Sequence, residues 1–382
     1  MTQAAAQIKQ ICLDLQTTPL VWVLAPSVET GDENVDYYYD FSQSIQEYEK
    51  VFSELNLNWR WQPVTMKNYE SVIHEIAEYH ILENQFPIVL NLCDGDEVNG
   101  APGISVIRCL EQYELVYTGA NTSFYEITTS KIPMKKAFDE KGVSNAAWSV
   151  IQTSDENWES ILQKTGTPLI VKPAVSGGSM GVGIKNVVNN SAELKQLTED
   201  LLNGYRGWNL MADGLVAESF ISGREFTVLI SGSCHQPEFI RVYDPVERVF
   251  HPSLPDKEKF LSFDRLWEIY ETESAMPESA HFYEYSPVDK TLAEEIKKIS
   301  LQAFLATGGT GYARADIRMD QNTGQLYMLE INAQCGISED ENYTSIGAIL
   351  KFSNQTFSEL VAEIITDGYR RALLNHYKIH KS

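Results

Sequence analysis

Two carboxylates and an amide lie within strand-like segments near the end of the chain. The stretch YARADIRMDQNTGQLYMLEIN, residues 312–332, carries Asp316 and Glu330 among apolar residues, and Asn332 follows two positions after Glu330. QNTG between the two apolar segments is typical of a tight turn, so we predict an antiparallel hairpin. Because side chains alternate along a strand, Glu330 and Asn332 share one face, and Asp316 can lie opposite them.

Three oxygen ligands on one face are what a hard cation requires. Mg²⁺ binds carboxylate and amide oxygens and keeps its other positions for water and phosphate. Without a cation, two buried carboxylates would repel each other and lose solvation. The alternative is an edge strand with solvated acidic residues, and the hairpin alone fits both interpretations.

A glycine-rich turn follows an apolar strand in the middle of the chain. KPAVSGGSMGVG, residues 172–183, lets backbone N–H groups approach an anion without a Cβ in the way. It is neither a Walker A loop nor a G-x-G-x-x-G fingerprint, and a simple hairpin turn would also be rich in glycine. Lys172 at the end of the strand is harder to explain by structure alone and suits a phosphate oxygen.

A third cue is AESFISGREF, residues 217–226, in which Glu218 and Glu225 flank a strand break. A break in a strand exposes backbone N–H and C=O groups, which can recognise the edge of adenine. A carboxylate nearby can hold the hydroxyls of a ribose.

The elements around these motifs indicate mixed α/β and α+β architecture. Apolar runs at 20–25, 86–92 and 113–120 alternate with helical patterns around 40–56 and 68–82, which predicts a parallel sheet with helices on its faces. The next elements predict an α+β unit: a helix from Ile132 to Lys141 closed by Gly142, a strand at 167–175, a helix at 190–202 and two strands within 215–232.

Residues 244–287 contain five prolines and little periodicity. So long an irregular segment is either a functional lid or a tolerated surface insertion. Helices are predicted again at 289–306 and 355–371.

Composition excludes some classes of function. The 382-residue chain has a net charge of −23, which would repel nucleic acid. No apolar run approaches the length of about 20 residues that spans a bilayer, and the N-terminus lacks a signal-peptide pattern. Five widely spaced cysteines without C-x-x-C disfavour a zinc site or a disulfide framework, so we predict a cytoplasmic protein.

Taken in order, five elements resemble the successive motifs of the ATP-grasp superfamily. They are Lys131, VKPAVSGGSMGV, AESFISGREFTV, ARADI and LEINAQCG. The resemblance is strongest to D-alanine–D-alanine ligases and related carboxylate–amine ligases, over about residues 86–370. It implies three domains: a Rossmann-like parallel α/β domain at 1–127, a central subdomain at 128–214, and a C-terminal domain at 215–382 with the metal site and a mobile loop at 244–287. ATP would be clamped between the two α+β units.

The resemblance also implies which residues bind the nucleotide. Lys131 and Lys172 would hold its phosphates. Gly178, Ser179 and Met180 would form the loop over the phosphates. Glu218 and the backbone of Ser219 and Ile221 would contact adenine, and Glu225 would contact the ribose.

By the same resemblance, Asp316, Glu330 and Asn332 would bind two Mg²⁺ ions, for which Mn²⁺ can substitute. Arg314 and the Gly336 N–H would stabilise a tetrahedral intermediate. In PDKEKFLS, residues 255–262, we favour Lys259 over Lys257 as the lysine that reaches the γ-phosphate.

The implied reaction joins two small molecules, a carboxylate and an amine, through an acyl phosphate made from ATP. The substrate pair is predicted to be of amino-acid type but to differ from two D-alanines. A kinase of the same fold and a non-catalytic nucleotide-binding module are the alternatives. Related ligases are often dimers, so a homodimer is expected by analogy of fold.

The substrate side departs from the pattern of D-alanine ligases. Those enzymes carry a histidine after the strand near position 92, where this chain has NLCDGDEVNGAPG. After the metal-binding asparagine the chain reads AQCGISEDEN. If Glu339, Asp340 and Glu341 face the pocket they would repel an acceptor carboxylate, and if they face solvent they carry no such meaning. Glu29 is a candidate to hold a substrate amine, and Cys335 is interpreted as a small apolar residue rather than a nucleophile.

Overall fold

The computed structural model describes residues 3–15, 18–28, 41–83, 85–204, 207–270, 273–277, 280–340, 342 and 344–379. Three sheets form within these ranges. No helix in these ranges is long and apolar enough to cross a membrane.

The N-terminal sheet is parallel and has the strand order β2-β1-β3-β4. Its elements are α1 (Gln3–Leu15), β1 (Thr18–Pro26), α2 (Ser42–Leu55), β2 (Asn58–Val64), α3 (Tyr69–Glu83), β3 (Gln85–Asn91), α4 (Ile104–Gln112), β4 (Val116–Tyr117) and α5 (Thr122–Thr129). Val21 and Val23 of β1 pack into one core, whereas Leu20, Trp22 and Leu24 pack into another. Helices therefore cover both faces of the sheet, and the predicted parallel α/β domain is confirmed.

The central sheet has the order β5-β8-β6-β7 and is antiparallel. Its elements are α6 (Lys131–Lys141), β5 (Trp148–Ile151), α7 (Trp158–Thr165), β6 (Leu169–Pro173), β7 (Val187–Val188), α8 (Ser191–Leu202) and β8 (Leu215–Ser219). The sequence assigned 215–219 to the C-terminal domain. The structure places this strand between β5 and β6 instead, because its apolar side chains pack against α7 and α8.

The C-terminal sheet is the largest and has the order β12-β11-β9-β13-β14, with β10 also paired to β9. Its strands are β9 (Gly223–Ser233), β10 (Gln236–Val242), β11 (Val246–Phe250), β12 (Tyr283–Pro287), β13 (Thr310–Asp320) and β14 (Leu326–Ala333). Its helices are α9 (Phe263–Trp267), α10 (Lys290–Ala306), α11 (Ser345–Phe352) and α12 (Phe357–Ile379). The predicted strand break is real, and residues 220–222 carry the chain from the central sheet to this one.

The segment 244–287 is more regular than the sequence predicts. Its two ends form β11 and β12, which pair with each other at the edge of the C-terminal sheet. Its middle part lies against the glycine-rich turn, where the Phe263 N–H donates to Val182 O at 2.8 Å and Trp267 Nε1 donates to Gly178 O at 2.8 Å. Four of the five prolines lie outside the strands, and Pro287 is the last residue of β12, where it pairs with Val246. The mobility of this segment stays a prediction.

Candidate active site

A cavity of about 1080 Å³ opens where the three sheets meet. The N-terminal unit contributes Asp94 to its lining, the central unit contributes Lys172, and the C-terminal unit contributes Asp316. The cavity brings the sequence motifs together, because the glycine-rich turn, the strand break and the 310–333 hairpin all line it.

The hairpin β13–β14 provides one wall. Its register pairs Asp316 with Glu330 and Arg314 with Asn332, so that these four side chains lie on one face, which confirms the predicted hairpin. A bulge follows directly after Asp316. The Asn332 amide nitrogen lies between the two carboxylates, 3.3 Å from Asp316 Oδ2 and 3.3 Å from Glu330 Oε1.

This wall fits a divalent cation. The amide nitrogen of Asn332 takes the place between two carboxylates where a cation would lie, and Asp316 Oδ1 is buried without a hydrogen-bond partner among the described residues. Two carboxylate groups and one amide are a ligand set for a hard ion such as Mg²⁺. Their assignment as metal ligands stays a prediction.

Arg314 stands beside this set. Its Nη2 lies 3.0 Å from Asp316 Oδ2. Burial opposes the charge of the guanidinium, but the Asp316 carboxylate outweighs it and raises the pKa of Arg314. Arg314 therefore stays a cation that faces the cavity, and Gly336 lies in the same wall.

The central unit contributes a cluster of lysines. Lys131 begins α6, and its Nζ lies 3.3 Å from Ser176 Oγ and 3.9 Å from Glu330 Oε2. Lys172 is the penultimate residue of β6 and pairs with Glu218 Oε1 at 2.5 Å. Burial lowers the pKa of Lys131, whereas for Lys172 the carboxylates of Glu218 and Glu330 outweigh burial and raise the pKa.

Glu218 is more enclosed than the sequence predicts. Its second oxygen pairs with Lys135 at 2.5 Å, and both side chains are about 1–2% exposed. Burial would raise the pKa of Glu218, but the two lysines lower it to about 2. Sequence reasoning missed Lys135, although it lies four residues after Lys131 on the face of α6 that buries Met134 and Phe138.

The glycine-rich turn closes over the lysines. Gly178, Ser179 and Gly181 have positive φ angles, and Ser179 and Met180 line the cavity. A Cβ on Gly178 would lie 3.1 Å from the Trp267 ring, so a larger residue would require the indole to shift, and the positive φ of Gly178 also favours glycine.

The strand break lies at the far end of the cavity. Ser219 N–H donates to Ala147 O at 2.9 Å, and Ile221 O accepts from Arg318 Nη1 at 2.9 Å. Both residues line the cavity. The predicted adenine contacts would therefore use backbone groups other than the Ser219 N–H and the Ile221 carbonyl, which already take part in these bonds.

Glu225 is held by two arginines. Arg318 Nη2 donates to Glu225 Oε2 at 2.7 Å, and Arg248 donates to the other oxygen. Burial alone would raise the pKa of Glu225, but the two arginine cations lower it. Its predicted ribose contact would therefore be made by a carboxylate that is already doubly paired.

The structure does not bring Lys259 to the cavity. Its Nζ pairs with Asp256 Oδ1 at 2.8 Å, three residues earlier, and Lys257 is exposed. Arg248 lines the cavity instead and is 3% exposed. The alternation of buried and exposed residues could have indicated Arg248 from the sequence, because β11 buries Val246, Arg248 and Phe250 on one side.

The acidic run after β14 faces away from the cavity where it is described. Lys50 pairs with Glu339 at 2.8 Å, and Gln43 donates to Asp340 at 3.4 Å. Glu341 and Glu29 lie outside the described residues. Cys335 lines the cavity, and burial raises the pKa of its thiol to about 12, so the group is a neutral thiol at neutral pH.

Comparison with known proteins gives a consistent result. A family model described as "D-ala D-ala ligase C-terminus" matches residues 138–366. The chain is 27% identical to D-alanine–D-alanine ligase B of Xanthomonas campestris pv. campestris over 260 residues, which is 68% of this chain and 71% of that protein. It is 25% identical to the D-alanine–D-alanine ligase of Idiomarina loihiensis over 306 residues, or 79% and 86% of the two chains.

Solved structures show the same fold. The D-alanine–D-alanine ligase of Bacillus anthracis complexed with ATP aligns with a TM-score of 0.64 at 18% identity, covering 94% of this chain and 100% of that one. The enzyme of Coxiella burnetii aligns with a TM-score of 0.62 at 16% identity, covering 95% and 98%.

Proposed function

The chain belongs to the D-ala D-ala ligase C-terminus family and is an ATP-dependent ATP-grasp ligase that forms C–N bonds, and from this premise we propose that it joins an amino-acid-type carboxylate to an amine other than D-alanine. The observation that carries the proposal is the cavity wall on which Arg314, Asp316, Glu330 and Asn332 share one face, opposite Lys131 and Lys172.

The first half-reaction uses the lysine side of the cavity. Lys131 and Lys172 bind the phosphates of ATP, while the glycine-rich turn covers them. A substrate carboxylate attacks the γ-phosphorus, ADP leaves, and an acyl phosphate forms. Such a transfer depends on positioning and on cations rather than on covalent chemistry by the protein.

Arg248 supplies the cation that Lys259 does not. It is buried in the cavity wall, and its Nε has no hydrogen-bond partner within the described chain. Burial opposes its charge, but Tyr285, Glu225 and Asp316 raise the pKa of Arg248, so the guanidinium stays charged close to the hairpin. We assign it to the transferred phosphoryl group.

Asp316, Glu330 and Asn332 would hold two Mg²⁺ ions, or Mn²⁺ in their place. Bound there, the ions would neutralise the charge of the phosphates. The two carboxylates face each other across the strands, and Asp316 Oδ1 is buried without a hydrogen-bond partner among the described residues, which suits a cation between them.

The second half-reaction uses Arg314 and the Gly336 N–H. An amine attacks the acyl carbon, and these two donors stabilise the oxyanion that develops there. Phe263 and Trp267 bond to the glycine-rich turn, and this part of the chain excludes water that would hydrolyse the acyl phosphate.

The segment at 91–103 supports the proposed difference in substrate pair. Asp94 lines the cavity in the segment where the sequence has no histidine. A carboxylate at this end favours a substrate that presents a cationic amine. Glu339 and Asp340 do not contribute to this argument, because they contact Lys50 and Gln43 outside the cavity.

The decisive experiment measures phosphate release from ATP and Mg²⁺ with D- and L-amino acids and simple amines, singly and in pairs, and identifies products by mass spectrometry. We expect phosphate that depends on a pair and a product whose mass is the sum of both substrates less water. Ligation of D-alanine to itself as the best pair would refute the different substrate pair. A stable phosphorylated single substrate would replace the ligase by a kinase.

A homodimer is a further part of the proposal. Light scattering coupled to gel filtration tests it, and a mass of one chain at micromolar concentration would refute it.

A further inference from the structure

Asp94 is a cavity carboxylate that the ATP chemistry leaves unused. It follows β3 by three residues, at the carboxyl end of a parallel strand, which is where α/β sheets present functional side chains. Its side chain is open to the cavity and forms no ion pair with the described residues.

Hydrogen bonds on both sides fix the position of Asp94. Gln334 Nε2 donates to Cys93 O at 2.8 Å, the Tyr125 hydroxyl donates to Gly95 O at 2.8 Å, and Gly95 N–H donates to Pro102 O at 2.9 Å. Gln334 directly follows β14, the strand that carries Asn332. Asp94 is therefore held at a set place relative to the wall where the acyl group reacts.

The titratable and charged groups around Asp94 come from several elements. Its charge interacts with Cys93, Tyr125, Tyr312, Arg314 and Cys335, and the Asp96 and Glu97 carboxylates act on the same Tyr125 hydroxyl. The protein around the cavity reduces solvation of the carboxylate and raises its pKa to about 6, against the opposing effect of Arg314. The hydroxyls of Tyr48 and Tyr312 line the same end of the cavity, and both are fully buried without a partner in the described chain.

We propose that Asp94 binds the ammonium group of the attacking substrate and accepts its proton in the second half-reaction. The inference rests on the proposed function. Asp94 and Arg314, the proposed donor for the oxyanion, line the same cavity, and the charge of Arg314 acts on the Asp94 carboxylate, so we place the amine between these two groups. Glu97 is occupied otherwise, because it accepts from Gly103 N–H and Ser105 N–H at the start of α4.

The proton balance is complete with the groups named. One proton passes from the ammonium to Asp94, and the amine nitrogen then bonds to the acyl carbon. The bond from that carbon to the phosphate oxygen breaks, and phosphate leaves with the electron pair. The second nitrogen proton goes to the departing phosphate, and Asp94 returns its proton to solvent.

The test compares Asp94→Asn with the full-length wild type, using two nucleophiles. Hydroxylamine is uncharged at neutral pH and needs no base, so hydroxamate formation with each amino acid of the panel reports the acyl phosphate alone. We expect Asp94→Asn to keep hydroxamate formation within about threefold and to lose amide formation by about 100-fold or more. The acidic limb of kcat/KM for the amine, near pH 6 in the wild type, should vanish in the variant.

Asp96→Asn is the matched control, because Asp96 lies two residues away and lines the same cavity. We expect it to resemble the wild type with both nucleophiles. Equal loss of amide and hydroxamate in Asp94→Asn, or selective loss of amide in Asp96→Asn alone, would overturn the assignment. If the wild type releases no phosphate with any pair of carboxylate and amine, the proposed function itself fails; amide formation by Asp94→Asn at the wild-type rate refutes only the role of Asp94.

Discussion

Replacing Lys135 by methionine should destabilise the protein although Lys135 does not line the cavity. Lys135 and Glu218 are both buried, and their ion pair is 2.5 Å long. Methionine keeps the apolar stem of lysine and removes the charge. Glu218 then keeps Lys172 as its one cationic partner among those described.

The magnitude follows from Glu218. Burial would raise its pKa, but the two lysines lower it from an ordinary 4.5 to about 2 in the folded protein, which corresponds to a net stabilisation of the charged carboxylate of about 3 kcal/mol. Lys135 is the stronger of these influences, so its loss should lower the free energy of unfolding by about 2 kcal/mol. Removing one partner of a fully isolated buried pair costs about 3–5 kcal/mol, and Lys172 reduces that cost here.

The effect has a defined dependence on pH. The folded-state pKa of Glu218 lies below the unfolded-state value, so its contribution is complete above about pH 4.5 and is lost as the pH falls toward 2. The difference between wild type and Lys135→Met should therefore be largest at neutral pH and narrow in acid.

Urea unfolding at several pH values is the assay. Lys195→Met is the matched control, because Lys195 forms an exposed helical pair with Glu199 at 3.9 Å and should contribute less than about 0.5 kcal/mol. A Lys135→Met variant within 0.5 kcal/mol of the wild type at pH 7 would refute the account of the buried cluster. So would a difference that grows as the pH falls.

Three further substitutions test the active site. Asp316→Asn should lower ligation by at least about 100-fold and raise the Mg²⁺ concentration needed for half-maximal phosphate release, and an unchanged Mg²⁺ dependence would remove Asp316 from the metal site. Arg248→Gln should lower phosphate release by about 100-fold while Lys259→Gln stays within about threefold, and the reverse order in steady-state assays would restore the role of Lys259. Trp267→Ala should uncover Gly178 and raise phosphate release with the carboxylate alone, because water then reaches the acyl phosphate; phosphate release that remains strictly dependent on the pair would show that the indole is not part of the seal.

Local patterns were sufficient to predict the hairpin that carries Asp316 and Glu330. Alternation and a turn signal lie within about 20 residues there, so the register follows from the sequence itself. Helix α6 was likewise predictable, because Gly142 ends it in a left-handed conformation.

Long-range partners were not predictable in this way. Glu218 was expected at the adenine, yet both of its oxygens pair with lysines from a helix and a strand that the sequence separates widely. Arg248 was missed because a charged residue on the buried side of a strand is explained only once Glu225 and the cavity are located. Strands β11 and β12 were hidden because each becomes stable by pairing across about 30 residues.

The three walls of the cavity belong to three separate sheets. The lysines proposed to bind phosphate belong to the unit built on the central sheet, the carboxylates of the hairpin to the C-terminal sheet, and Asp94 to the segment that follows β3 of the N-terminal sheet. On the proposed roles, we expect mutations in the 91–103 segment to change recognition of the amine without altering the groups proposed to bind ATP. For protein engineering, this segment is the part of the chain to exchange between relatives in order to change which amine is ligated.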